Sequence, residues 1–599
     1  NLSKSYGPRL LFSGISLGIE EGDRIGFIGA NGSGKSTLLR VFAGLEQPDL
    51  GDIETRRQLR VGYVPQEEQF DPAVACIDVV GEAVDDHLDD HERHVRAAIA
   101  LDRAGFADPT QPAGKLSGGW RKRLAIVRQL AAEPDLLLMD EPTNHLDVEG
   151  ILWLESVIDG APFATLTVSH DRRFLEEIAN RVIELGRAYP DGYLGHRGTY
   201  SDFVEKREEF LAAQQGRQQA LASGVRREIE WLRRGAKART TKAKGRIDRA
   251  GEMMAELADL KTRNTKQGAA AVEFSASDRK TRKLIELKHV RKSLGGRALF
   301  KDVNFRLSPA QKLGLLGPNG SGKSTLIKLL TGAIEPDAGE VVRADALKIV
   351  LFDQHREQLD LDQTLRRSLS PTGDTVTFQG GSTHVSSWAR RFLFHTEQLD
   401  LPLRELSGGE RSRVLIARLM LRPADVLILD EPTNDLDIPT LDVLEQSLEQ
   451  FTGALVLVTH DRYLLDRIST DILALDGEGG AAIHAELAEW ERARAAALQA
   501  KADAAAAVAK QAAKERAAGQ PTPTATKKKL SWKEQKEWEG MEAAIANAEA
   551  DVARLQAVVA DPAVLADHAK MRDACEQLGK AQAEVERLFA RWSELELKQ

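Results

Sequence analysis

No run of apolar residues in this 599-residue chain approaches the ~20 needed to cross a bilayer, and nothing near its start resembles a secretion signal. The expectation is therefore a cytoplasmic protein. Cysteine is nearly missing: Cys76 and Cys575 are the only two, in regions assigned below to different domains, so neither a disulfide framework nor a thiolate metal site is suggested. An excess of positive charge is missing as well. Lys and Arg number 82 against 91 Asp and Glu, and 82 − 91 gives −9, which argues against general affinity for nucleic acid. A hydrophobic content of 42% over 599 residues is enough for several ordinary buried cores.

A glycine-rich loop, Gly29-Ala30-Asn31-Gly32-Ser33-Gly34-Lys35-Ser36-Thr37, recurs as Gly317-Pro318-Asn319-Gly320-Ser321-Gly322-Lys323-Ser324-Thr325. In each copy an apolar strand-like run precedes the loop and a helix-like run follows, the context a phosphate-binding loop requires. The glycines let backbone N–H groups turn toward phosphate oxygens at a helix N-terminus. Lys35 and Lys323 reach the β- and γ-phosphates in this reading, and the hydroxyls of Ser36 and Ser324 ligate Mg²⁺. The chain is thus expected to bind a nucleotide twice.

Further along the first half, Tyr6 could stack on an adenine or be an ordinary core or surface aromatic, and Gln66, at the end of a short strand, offers an amide to Mg²⁺ or its water. Leu116-Ser117-Gly118-Gly119 opens an amphipathic helix, giving a second phosphate-binding device in Ser117 and Gly119. The apolar strand Leu136-Leu137-Leu138-Met139 delivers Asp140 and Glu141 to its C-terminal end, where parallel α/β sheets bind ligands. Asp140 suits the Mg²⁺ shell, and Glu141 suits a general base for the water that attacks the γ-phosphate. Leu146-Asp147 follows. A further strand ends in Ser169-His170-Asp171, and His170 could hydrogen-bond the γ-phosphate.

The second half repeats the order with Lys323, Ser324, Gln354, Ser407, Gly409, Asp430, Glu431, Leu436-Asp437 and His460. Lys323 minus Lys35 is 288, and Ser407 minus Ser117, Glu431 minus Glu141 and His460 minus His170 are each 290, the register of a duplicated domain. Two departures stand out: Leu294 where the first copy has Tyr6, and Glu410 after the second Leu-Ser-Gly-Gly where Trp120 follows the first. This ordered set resembles the nucleotide-binding domain of the ABC ATPases. The resemblance implies two such domains closing face to face, each ATP held between the phosphate loop of one and the Leu-Ser-Gly-Gly of the other. With both halves on one chain, a monomer with intramolecular pairing is implied.

Between the halves, Tyr200 to Leu260 lacks Pro and has helical spacing, predicting two long helices joined near Gly235 to Gly245. From Arg226 to Arg249 there are ten basic and three acidic residues, 10 − 3 = +7, and Arg233, Arg234, Lys237, Arg239, Lys242, Lys244 and Arg246 offer phosphate contacts without base specificity, or a solvated charge run. Trp231 could stack on a base or pack the hairpin. Past Gly519-Gln520-Pro521, two heptad runs around Asp561-Pro562 predict an antiparallel coiled-coil hairpin. The fold expected is α/β. Its parts are a first ATPase domain (1–190), a basic helical linker (191–283), a second ATPase domain (284–480), a helical and flexible linker (481–528) and a coiled-coil hairpin (529–599).

Taken together these features resemble the ABC-F family, and within it the Uup-type members. Beyond the ATPase motifs the resemblance rests on Trp231 to Arg239, Phe392-Leu393-Phe394-His395, Leu530-Ser531-Trp532 and Phe589-Ala590-Arg591-Trp592. It implies an ATPase that needs ATP and Mg²⁺ and associates with the ribosome, its inter-domain helices reaching toward rRNA and tRNA, with a tail that can bind DNA. The stretch from Val74 to Ala113 is shorter than the family's usual arm insertion. Two other readings stay open: a DNA-processing ATPase acting on branched DNA through Lys527 to Lys529 and the coiled coil, and the ATP-binding subunit of a transporter.

Overall fold

A computed structural model of the protein describes residues 1–500 except 8, 69, 85–86, 234–240, 264–282, 353–358, 379–380, 434–435 and 498, and beyond 500 only Ala548, Arg554, Gln577, Lys580 and Arg587, all helical. The side chains of 9, 231–233, 241–247 and 262 also fall outside the description. The chain divides into two compact units, Asn1–Ala495 and Ala496–Gln599.

Two six-stranded sheets of the same topology build the first unit. One runs in the order Val61–Val64, Leu136–Asp140, Ala164–Val168, Arg24–Gly29, Arg181–Leu185 and Tyr193–Arg197; the other runs Ile349–Phe352, Val426–Asp430, Ala454–Val458, Lys312–Leu316, Asp471–Leu475 and Ala481–His484. Five strands of each are parallel, and only the last is antiparallel. The central parallel strands are buried and mostly apolar because both faces are covered, and alternate residues feed different cores. Leu137 and Met139 pack with Phe174 and Leu175, whereas Leu136 and Leu138 pack with Leu38 and Leu39. In the second sheet Leu427 and Leu429 face Leu464 and Leu465, while Val426 and Ile428 face Leu326 and Leu329.

In both sheets the antiparallel edge strand, Tyr193–Arg197 and Ala481–His484, lies just past residues 190 and 480, where composition places the domain ends. These strands are short, rest on the rim and carry Gly, His and Ala where a buried strand would carry branched apolar residues.

The two halves are joined by helices Tyr200–Arg233 and Thr241–Arg263. Arg217 donates to Glu256 at 2.5 Å, and a Cβ on Gly224 would come within 2.6 Å of Met253 Cε, so the helices run antiparallel with the Met253 side chain packed over Gly224. The second helix begins at Thr241, ahead of Gly245; Lys and Ala around that glycine hold a turn in which Gly costs only ~1 kcal/mol. Among the described residues no helix is long and apolar enough to cross a membrane.

Candidate active sites

The phosphate loops leave the central strands Arg24–Gly29 and Lys312–Leu316 and close on helices Lys35–Phe42 and Lys323–Thr331. Each helix is entered through a glycine in the left-handed region, Gly34 at φ 101° and Gly322 at φ 102°. A side chain there would be strained and would meet a ring, since a Cβ on Gly34 lies 2.9 Å from Phe12 and one on Gly322 3.0 Å from Phe300. Lys35 Nζ folds back to the carbonyls of Gly29 at 2.7 Å and Ala30 at 3.3 Å. Lys323 Nζ does the same to Gly317 at 2.7 Å and Pro318 at 3.5 Å, with His460 Nε2 at 3.5 Å. Burial lowers both lysine pKa values, against the pull of Glu141 and Glu431.

Glu141 and Glu431 sit where the second strand of each sheet ends, and their backbones are also left-handed, at φ 46° and 48°. For a non-glycine residue that conformation costs of order 1–3 kcal/mol and persists only where surroundings enforce it. Here the enforcing contacts are hydrogen bonds from the Glu141 N–H to Val168 O at 2.9 Å and from the Glu431 N–H to Val458 O at 2.8 Å. Each carboxylate lies 3.3 Å from a histidine Nε2, Glu141 from His170 and Glu431 from His460. Burial pushes both glutamates up to about 8, opposed by the adjacent lysine charges. Burial and the same lysines pull both histidines down to about 3, so each imidazole is neutral and has one N–H to donate. Asp140 is buried beside the Ser36 hydroxyl, and its Oδ1 has no hydrogen-bond partner. A buried carboxylate oxygen left without a donor is the donor set of a hard divalent cation.

Two composite cavities result. One, of ≈ 480 Å³, is lined by Tyr6, Asn31, Gly32, Gly34, Lys35, Ser36, Thr37, Gln66, Asp140, Glu141 and His170 from the first half and by Ser407, Gly408 and Gly409 from the second. The other, of ≈ 350 Å³, is lined by Asn319, Lys323, Ser324, Asp430, Glu431 and His460 from the second half and by Ser117, Gly118 and Gly119 from the first. Gly317, Gly320, Gly322 and Thr325 belong to the second loop and helix start but do not line that cavity, and Gln354 lies outside the described residues.

The halves are held closed by contacts repeated across the duplication. The N–H of Asn31 donates to Asp437 Oδ2 at 3.1 Å and that of Asn319 to Asp147 Oδ2 at 3.0 Å. The next residue after each aspartate is an aliphatic buried in the opposite half's core, Val148 in the second and Ile438 in the first. Arg172 pairs with Asp442 at 3.1 Å and with Glu445, and Arg462 pairs with Glu155. A Cβ on Gly119 would lie 3.3 Å from Asn319 Nδ2 and 2.7 Å from His145 O, so glycine is what lets the two motifs meet.

Sequence reasoning missed these arginines, although the 290-residue offset links Arg172 to Arg462 and Glu155 to Glu445 and was the available signal. The two cavities also differ. Tyr6 is 49% exposed at the mouth of one and donates to Glu46 at 2.5 Å, while Leu294 does not line the other. Ser407 donates its hydroxyl to Glu410 at 2.7 Å, whereas Ser117 only accepts the Trp120 N–H, at 3.4 Å. Of the basic linker residues, Arg234, Lys237 and Arg239 lie outside the described residues, as do the side chains of Trp231, Arg233, Lys242, Lys244 and Arg246; apart from its five helical positions the coiled-coil hairpin does too.

The family model described as ABC transporter matches residues 12–144 and 300–434, and that described as ABC transporter C-terminal domain matches 529–597. The chain is 35% identical to the uncharacterized ABC transporter ATP-binding protein YfmR of Bacillus subtilis, covering 100% of this chain and 98% of that one. It is 32% identical to the ATP-binding protein Uup of Escherichia coli over 99% and 97% of the two chains. Identity to the energy-dependent translational throttle protein EttA of Mycobacterium tuberculosis is 36%, over 79% and 90%. Among solved structures, the archaeal ribosome recycling factor aABCE1, in complex with the ribosomal stalk protein aP1, aligns with a TM-score of 0.55 at 19% identity, over 80% and 89% of the chains, a likeness of fold.

Proposed function

Since the chain belongs to the ABC-F family of tandem ABC ATPases and hydrolyses ATP, we propose that ATP closes its two halves into a clamp whose state controls association with the ribosome, in translation or ribosome assembly. The observation that carries the clamp is the reciprocal lining of the cavities, each phosphate loop roofed by the serine and glycines of the other half. ATP bound at Lys35 is then held by Ser407 and Gly409, and ATP at Lys323 by Ser117 and Gly119.

In this reading Glu141 and Glu431 are the general bases. Each takes a proton from water as the water oxygen bonds to the γ-phosphorus and the β–γ bridging bond breaks, its electron pair leaving with ADP. His170 and His460, neutral, donate to the γ-phosphate. Ser36, Gln66 and Asp140, with Ser324, Gln354 and Asp430 in the other site, would hold Mg²⁺, which when bound offsets the phosphate charge. Loss of the γ-phosphate loosens the roof and the halves part.

The ribosome as partner is supported by the chain's likeness to a translational throttle protein and, in fold, to a ribosome recycling factor, and by the +7 charge between Arg226 and Arg249. The inter-domain helices carry that charge to rRNA or tRNA. The matched C-terminal domain preceded by Lys527-Lys528-Lys529 supports a second reading, DNA binding through the tail. Deleting residues 527–599 tests the two together. Ribosome pelleting in ATP is retained and any branched-DNA shift is lost if the tail serves DNA; loss of ribosome pelleting moves the ribosome contact to the tail.

A further inference from the structure

The helix Gly118–Ala131 belongs to both sites. Its N-terminal residues line the cavity of Lys323, while its flank lies against the strand Val61–Val64, which leads to Gln66 in the cavity of Lys35. The tie between them is Lys122, 4% exposed, whose ammonium donates to the carbonyls of Pro65 at 2.6 Å, Gln66 at 3.0 Å and Asp140 at 3.4 Å. Burial pulls the Lys122 pKa down to about 8, and the nearby Glu68 carboxylate opposes that pull. About two turns further on, Gln129 accepts the N–H of Tyr63 at 3.3 Å, a second polar tie to the same strand.

Neither of the two tying side chains is repeated in the second half. The offset of 290 that matches Ser117 with Ser407 places Ser412 opposite Lys122 and Leu419 opposite Gln129. Ser412 spends its one hydroxyl proton on the carbonyl of Gly408 in its own helix, at 3.1 Å, and Leu419 has no polar group to give.

We infer that Lys122 is a positioning residue that couples the two ATP sites, locking the backbone of Gln66 and Asp140 in the Lys35 site to the helix that presents Ser117 and Gly119 to the Lys323 site. A lysine spanning three carbonyls from two loops fixes their spacing to its own helix, so a shift of Gln66 on nucleotide binding is passed to Ser117. Coupling of binding is reciprocal by linkage, so each site feels the other through this strut. The inference rests on the two-site reading above.

The test measures one site at a time. With Glu141→Gln only the Lys323 site turns over. Lys122→Ser added to it imports the side chain that the second half already carries at this position, and so should fold. Its kcat should fall by at least about fivefold, with KM for ATP changed by less than about twofold. Lys122→Arg, which keeps the donors, should restore it. A kcat within about twofold of the parent, or a loss that Lys122→Arg fails to restore, would overturn the inference and leave Lys122 a packing residue. Absence of turnover in the Glu141→Gln chain with Lys122 intact would count instead against the two-site reading. Lys122 is then judged on binding of the fluorescent analogue mant-ATP to the Glu141→Gln, Glu431→Gln chain: Lys122→Ser should lower the Hill coefficient toward 1. A coefficient it leaves unchanged, or one already at 1 with Lys122 present, overturns the coupling.

Discussion

The backbone N–H of Asn31, in the first phosphate loop, donates to the Oδ2 carboxylate oxygen of Asp437 in the opposite half at 3.1 Å, while Oδ1 of the same aspartate caps the helix Ile438–Glu449. One side chain thus ends a helix in its own half and steadies the nucleotide loop of the other. Asp437→Ser separates these duties, since serine caps about as well but is too short to reach Asn31. In a Glu431→Gln background, where only the Lys35 site works, this change should cut turnover about tenfold, a hydrogen bond to a charged group being worth ~1.5–3 kcal/mol. The melting midpoint should hardly move. Single-site ATPase assays and a thermal melt check both.

Val148 and Ile438 each enter the other half's core at 4% exposure. A carboxylate at these positions would have to be dehydrated on closure, at a cost of several kcal/mol. Val148→Asp with Ile438→Asp should therefore keep the two halves apart while each stays folded. Small-angle scattering in ATP reads this as a larger radius of gyration than the parent's, with circular dichroism unchanged.

The glutamate assignment predicts that Glu141→Gln with Glu431→Gln lowers turnover by about 10²–10⁴-fold, the ordinary contribution of a general base, while ATP still binds. Undiminished turnover would remove both residues from that role. A pH consequence accompanies it. Both carboxyls are pushed up to about 8, mainly by burial. A base works only when ionised, so turnover should climb as pH rises toward and through 8. The raised folded-state value also means that the fold binds these protons more tightly than the unfolded chain does. Their favourable contribution is complete below the unfolded pKa of ~4.3 and is lost as pH rises through about 8. The Gln chain should hence gain in melting midpoint over the parent at pH 9 more than at pH 6.

Much of this was legible in the residues because phosphate chemistry demands particular types at particular spacings. The loop glycines Gly32 and Gly34, with Lys35, Asp140, Glu141 and His170, are the types such chemistry selects and line one cavity, and the duplication supplied an internal control. The contacts that close the halves were less visible. Arg172, Glu155 and Val148 look like ordinary members of helix ends until a second domain is laid against them, and pairing across hundreds of residues leaves no local periodicity. Lys122 was hidden for a different reason: its counterpart Ser412 breaks the repeat, so the register that exposed the shared residues gave no sign of it. The edge strands beyond residues 190 and 480 escaped because a rim strand needs little apolar alternation.

The most direct test of the clamp reading is co-sedimentation of the Glu141→Gln, Glu431→Gln chain with 70S ribosomes at physiological salt, in ATP and in ADP, with and without neutralisation of Arg233, Arg234, Lys237, Arg239, Lys242, Lys244 and Arg246. Salt must be fixed because phosphate contacts alone mimic specificity when it is low. The account predicts pelleting in ATP, release in ADP, and loss of pelleting when the seven charges are removed. Pelleting that is the same in both nucleotides, or that survives without those charges, would contradict it.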